Sequence, residues 1–253
     1  MLRSIKEIYN YVLQAEDGEI GRCKDFLFDD EHWTVRYMVV DTGKWLLGKK
    51  VLISPISLGE PDWGSEHFPV RLTKEQIEEA PGLDEDAPFS RQHEIRWTRH
   101  YGLPYYWEGS GVWGKAGYPN ALFIKKELEV MSEEIADAVE THLRSAIEVS
   151  GYHIRATDDE IGHVQDFILD DETWTIRYMV VDTRNWLPGR KVLVAPPWIN
   201  SVDWAERKVS VAMTRNEVEN SPEYDPSAPP TSEYEAGLSK HYGLPIERGI
   251  GTP

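Results

Sequence analysis

The chain has 253 residues, with 27 Lys plus Arg against 44 Asp plus Glu and a formal charge of −17. That charge repels phosphate backbones and excludes nucleic acid unless a local basic patch offsets it. At 40% hydrophobic and 28% charged residues, with ten Trp and twelve Tyr, it has the composition of one or two folded domains. A lone Cys23 excludes an intramolecular disulfide or a Cys-based zinc site within one chain, and no run reaches the ~18 apolar residues of a membrane span. The opening Met1-Leu2-Arg3-Ser4-Ile5-Lys6-Glu7 has no apolar signal core. The expected compartment is therefore the cytoplasm, without membrane insertion.

In chain order, Arg22 to Phe28 reads as a strand entering the acidic turn Asp29-Asp30-Glu31. Trp33 to Val40 follows with strand formers, and a period of two predicts Val35, Tyr37 and Val39 on one face. Lys50 to Ile53 continues the pattern after Gly48 and stops at Pro55. Thr73-Lys74-Glu75-Gln76 fits a capping box and predicts a short helix ending near Pro81. A polar stretch from Asp84 to Pro88 leads to a second short helix closing at Tyr101-Gly102. Tyr105 to Tyr118 mixes Tyr105, Tyr106, Trp107 and Trp113 with four glycines and is expected to pack back on its own domain. Ser132 to Arg144 predicts an amphipathic helix with Ile135, Ala138, Val139 and Leu143 on one face.

The chain then repeats itself. Asp17-Gly18-Glu19-Ile20-Gly21 returns as Asp158-Asp159-Glu160-Ile161-Gly162, an offset of 158 − 17 = 141 residues. The same offset carries Arg36-Tyr37-Met38-Val39-Val40-Asp41-Thr42 onto Arg177 to Thr183, Trp45 onto Trp186, and His100 to Pro104 onto His241 to Pro245. Without a gap, 42 of the 94 positions from Tyr11 to Pro104 are identical in the second copy, which marks a tandem duplication. The capping box recurs as Thr214-Arg215-Asn216-Glu217. The expected division is residues 1–104, the first repeat with a short helical extension; 105–144, an aromatic-glycine and helical linker; and 145–253, the second repeat with its extension. Short strands broken by turns predict a mainly β, antiparallel unit of about 70 residues, closed into a small barrel because closure removes exposed edges.

Gly18-Glu19-Ile20-Gly21, the acidic turn and Trp33 to Asp41, with Ile161-Gly162 and Trp174 to Asp182 in the second copy, resemble the PRC-barrel family. That family is named for the cytoplasmic domain of the photosynthetic reaction centre H subunit and also occurs in a ribosome maturation factor. Trp186 to Val194 resembles the corresponding tract of bacterial stand-alone members. The resemblance covers roughly residues 1–73 and 143–214. It implies two tandem PRC-type β-barrels and, because the family serves as an adaptor, a scaffold role.

The acidic triplets Asp29-Asp30-Glu31 and Asp170-Asp171-Glu172 read as solvated hairpin turns, since Asp favours turns by bonding the local backbone. His100 and His241 read as helix-end residues. Arg36 and Arg177, five residues before Asp41 and Asp182, read as outward-facing surface ion pairs. Cys23, matched by Val164, reads as a buried apolar position, and His32 has Thr173 as its counterpart. No phosphate-loop, dinucleotide, zinc-protease or nucleophile-elbow motif occurs. No residue is assigned as catalytic, cofactor-binding or metal-binding. The function read from these features is a non-catalytic cytoplasmic interaction or scaffold module with a protein partner, no nucleic acid and scope for homo-oligomers. The alternative is a small-ligand or catalytic site in a cleft between the two barrels.

Overall fold

The computed structural model describes residues 1–82, 90–125, 142–183 and 190–245. The polar stretch Asp84 to Pro88, the linker helix over 132–141 and the Trp186 to Gly189 tract lie outside them. In chain order the first repeat forms β1 (Leu2–Ser4), α1 (Ile5–Ile8), β2 (Val12–Ala15), β3 (Gly18–Asp29), β4 (Thr34–Asp41), β5 (Lys50–Ile53), a 3₁₀ turn (Pro55–Ser57), β6 (His67–Pro69), α2 (Lys74–Glu78), α3 (Arg91–His100) and α4 (Pro119–Lys125). The second forms β7 (Leu143–Ser145), α5 (Ala146–Val149), β8 (His153–Arg155), β9 (Glu160–Asp170), β10 (Ile176–Asp182), β11 (Lys191–Val194), a 3₁₀ turn (Pro196–Trp198), β12 (Ile199–Asp203), β13 (Lys208–Val211), α6 (Arg215–Glu219) and α7 (Ser232–Tyr242).

The described chain falls into two mainly β units that do not follow the repeat boundaries. The first-repeat unit holds Ile8–Ser145 together with Glu172–Trp174. The second-repeat unit holds Met1–Glu7, Ala146–Asp171 and the described residues from Thr175 to Pro245. Residues 105–125 therefore belong with the first repeat, and the first seven residues with the second.

In the first-repeat unit the sheet runs β5-β4-β3-β2-β6, with β7 added on β3. In the second-repeat unit it runs β11-β10-β9-β8-β13-β12, with β1 added on β9. Two expectations are corrected here. The sheets are open rather than closed barrels, and they are mixed rather than antiparallel: β2 pairs with β6, and β8 with β13, in parallel. The reason lies in the connections. The chain leaving β5 turns through Pro55–Ser57 and brings β6 alongside β2 in the same direction, so the two short end strands finish apart instead of meeting.

The Ile-Gly pair of each repeat has a steric origin. Gly21 has φ +144°, and a Cβ there would lie 2.1 Å from the Asp41 carbonyl oxygen; Gly162 repeats this with φ +135° and 2.1 Å to the Asp182 carbonyl. Only glycine lets β3 and β9 bend this closely over the ends of β4 and β10.

Every residue of β4 from Thr34 to Val40 is buried, so the strand is covered on both faces. Tyr37 packs edge-on against Trp97 of α3, and Arg36 lies over Tyr106 of the aromatic segment after it. The helix expected to end at Arg144 is also corrected. Leu143, Arg144 and Ser145 are extended and pair with Asp29, Phe28 and Leu27 of β3, where the edge of a long strand supplies hydrogen bonds that a last helical turn would lack. Both capping boxes form as expected, on Thr73 with Gln76 and on Thr214 with Glu217. Among the described residues, no helix is long and apolar enough to cross a membrane.

Candidate functional site: a buried charge and aromatic cluster

The densest chemistry of the first-repeat unit lies where β4, α3 and residues 105–116 converge. Arg36, in the middle of β4, is 1% exposed. Its Nε donates to Asp29 Oδ2 at 2.6 Å and its Nη1 to the Val112 carbonyl at 2.7 Å. The guanidinium also lies over the Tyr106 ring at 4.1 Å and the Trp113 ring at 4.7 Å. Cation–π contacts of this kind strengthen when water is excluded. Asp29 ends β3, and its other oxygen accepts the His32 backbone N–H at 2.5 Å, with His32 Nδ1 3.3 Å away. The expected outward Arg36 and solvated Asp29 are thus both buried, and Arg36 pairs with Asp29 rather than Asp41.

A second carboxylate sits beside this pair. Glu94, in the first turn of α3, is buried. Its Oε1 accepts the Tyr106 hydroxyl at 2.7 Å and the Tyr37 hydroxyl at 3.2 Å, and Arg91 Nη1 lies 3.0 Å from Oε2. Arg91 in turn stacks over Trp107 at 4.2 Å and donates to the Tyr106 hydroxyl at 3.1 Å.

Protonation follows from these surroundings. Burial pushes the Asp29 carboxyl up, but the charge of Arg36 and the two bonds from His32 outweigh it and hold its pKa below the usual value. The bond to Asp29 raises the His32 pKa against the lowering effect of burial. Burial dominates at Glu94 and raises its pKa despite Arg91, Tyr106 and Tyr37. It also raises Tyr37 and Tyr106 well above the phenol range, so both hydroxyls stay protonated as donors.

The aromatic-glycine segment beside this cluster folds tightly on itself. Gly111 N–H bonds the Gly114 carbonyl at 2.7 Å, and Trp113 and Ala116 exchange N–H to carbonyl bonds at 3.0 Å each. Gly114 makes the tight return at φ +63°, where an added Cβ would lie 2.8 Å from the Glu108 carbonyl oxygen. Trp113 is fully buried, and its indole N–H donates to the Thr173 carbonyl at 2.7 Å. Over the cluster lies a cavity of about 270 Å³ lined by His32, Arg36, Arg91, Trp107 and His142 among others.

No family model matches the chain. An 89-residue stretch, 34% of this chain, is 33% identical to an uncharacterized protein of Deinococcus radiodurans and covers 32% of it. The chain thus spans about a third of that relative's length.

The second-repeat unit keeps a reduced form of the arrangement. The Tyr178 hydroxyl donates to Glu235 Oε1 at 2.8 Å, and Arg177 Nη2 lies 3.8 Å from the same oxygen. Ser232 stands where the first repeat has Arg91, and Thr173 where it has His32. His100 and His241 sit in the last turns of α3 and α7, with Nε2 2.8 Å from the Gln76 carbonyl and 2.7 Å from the Glu217 carbonyl. Each tethers the end of its own helix to the carbonyl of a capping-box residue in another, in keeping with helix-end residues. Cys23 is fully buried, and burial raises its thiol pKa.

In the sequence Glu94 and Glu235 stand six residues before His100 and His241, a poor spacing for one helical face, and nothing there shows Glu94 pairing with Arg91, Tyr37 and Tyr106. A signal for Glu94 was present: between positions 91 and 99 it is the one residue identical in the second copy, as Glu235. It is kept because its partner, Tyr37 or Tyr178, is kept.

Proposed function

We propose that the chain is a non-catalytic protein-interaction or scaffold module made of two PRC-type β units, acting in the cytoplasm. The observation that carries this reading is the saturation of the first-repeat cluster. Both oxygens of Asp29 and both of Glu94 accept bonds from protein groups, and the segment 105–116 is tied in through Tyr106 on Glu94 and the Val112 carbonyl on Arg36. A catalytic base needs an acceptor aimed at substrate, whereas these carboxylates are engaged in fixing a surface segment. The repeated Ile-Gly and Trp to Asp motifs support the PRC-type assignment, with open sheets in place of closed barrels.

The test uses the tagged full chain as bait in its source cells, followed by reconstitution with each captured protein from purified components. A stable complex of fixed stoichiometry is expected. Failure of every candidate to reconstitute, combined with turnover in a screen of metabolites, would overturn the reading.

The cavity over Arg36 and Arg91 favours a second reading, a small-ligand site within the first-repeat unit. It predicts that a small carboxylate raises the thermal midpoint of the wild-type chain and not that of Arg91→Ala.

A further inference from the structure

The strand that completes each sheet comes from the other repeat, and the two strands are identical in sequence. Leu2-Arg3-Ser4 in β1 equals Leu143-Arg144-Ser145 in β7. β1 pairs Leu2 with Asp170, Arg3 with Leu169 and Ser4 with Ile168. β7 pairs Leu143 with Asp29, Arg144 with Phe28 and Ser145 with Leu27, which are the same three positions of the repeat.

Side-chain bonds repeat as well. Arg3 Nε donates to Asp171 at 2.8 Å, as Arg144 Nε donates to Asp30 at 2.8 Å. The Ser4 hydroxyl donates to Asp166 at 2.5 Å, as the Ser145 hydroxyl donates to Asp25 at 2.5 Å. Each sheet therefore has one place for a Leu-Arg-Ser strand, filled across the duplication rather than from its own repeat.

We propose that these places accept the same strands from a second copy of the chain, giving a reciprocal strand-exchanged dimer. The first repeat of one copy would lend β1 to the second repeat of the other and receive its β7 in return. All the bonds above would be preserved, because neither strand distinguishes its own chain from another. The chain runs from α4 to β7 through residues 126–142, so the intrachain arrangement is favoured by effective concentration, on the order of millimolar for short connections. Exchange of an identical element is a low-cost route to a dimer.

Disulfide trapping in the full chain tests this, in a Cys23→Val background that gives the first repeat the valine its second copy carries at Val164. Leu2→Cys with Asp170→Cys reports on β1, and Ser145→Cys with Leu27→Cys reports on β7. Each variant is refolded at about 1 µM and at about 0.5 mM, oxidised, and resolved without reductant. Trp fluorescence of the reduced forms checks folding, and either variant suffices if the other does not fold. The expected result is a cross-link within one chain at low concentration and a covalent dimer at high concentration, its share rising on the order of a hundredfold. Intrachain cross-links alone at both concentrations would overturn the proposal. So would an intrachain cross-link in Ser4→Cys with Leu27→Cys, which forms only if β1 lies on its own repeat's β3.

Discussion

Arg36 is the residue around which the first-repeat unit is arranged. Desolvating its charge carries a penalty of several kcal/mol, offset only while Asp29, the Val112 carbonyl and two aromatic faces surround it. Asp29→Leu alone strands the guanidinium and is expected to lower stability by about 3–5 kcal/mol. Arg36→Met with Asp29→Leu removes both charges and is expected to lose less than the sum of the two single changes; urea denaturation of all four proteins closes the cycle. Additive losses would mean that the two side chains act independently. His32 gives a second handle. Its pKa is raised by Asp29, so its contribution to stability is full below the ordinary histidine value of about 6.5 and is lost as pH rises through the raised one. Asp29 runs the other way: its contribution is present above about 3.9 and is lost as pH falls through its lowered value. An NMR titration should find the His32 pKa above 6.5, returning toward it in Asp29→Asn. None of this was legible in the sequence, because a mid-strand Arg followed by an Asp reads as a surface pair. The cover over Arg36 and Tyr37 comes from α3 and residues 105–116, which are distant in sequence.

At the scale of single elements, local chemistry was readable and pairing was not. The capping boxes on α2 and α6 need only four consecutive residues, and both formed. Thr73→Ala should therefore lower stability by about 1 kcal/mol, as an N-cap loss does. The Ile-Gly pair was visible as a repeated motif, but its reason, the carbonyl of Asp41 pressed against Gly21, depends on the bend of β3 over β4. Two glycines separate space from conformation. Gly43 has φ +55° and nothing within 4 Å of an added Cβ, so Gly43→Ala should cost about 1 kcal/mol. Gly21→Ala adds a 2.1 Å approach to backbone and should cost about 3 kcal/mol or prevent folding. Equal midpoints for the two variants in urea would show that β3 relaxes freely at Gly21. Sheet closure was misread for a related reason: strand lengths and turns are local, whereas the parallel β2–β6 and β8–β13 pairings depend on where a long connection returns.

For the whole molecule, the duplication was plain from 42 identities in 94 positions, yet the exchange of β1 and β7 was hidden by it. A Leu-Arg-Ser strand fits either sheet equally, so no residue records which repeat it serves. The charge of −17 bears on partners in a way that the structure sharpens. The sequence offers four adjacent cation pairs, Lys49-Lys50, Lys125-Lys126, Arg190-Lys191 and Arg207-Lys208, far apart along the chain and the second and fourth each next to a glutamate. Arg190 is engaged, its guanidinium donating to the Glu219 carbonyl at 2.6 Å and to the Ser221 carbonyl. Lys49 and Lys50 are exposed but stand in a chain with 44 acids. Two phosphates neutralised by any one such pair give a salt slope of only about −1.4 on single-stranded RNA, too shallow for counterion release to offset the repulsion of the remaining charge. Fluorescence anisotropy with a labelled ribosomal RNA fragment in 0.15 M salt should therefore show no saturation up to about 100 µM, the weak end of ordinary non-specific binding. Submicromolar affinity with a steep salt dependence would require several Lys and Arg side chains to meet on one face, and would displace the protein-partner reading in favour of an RNA-bound scaffold.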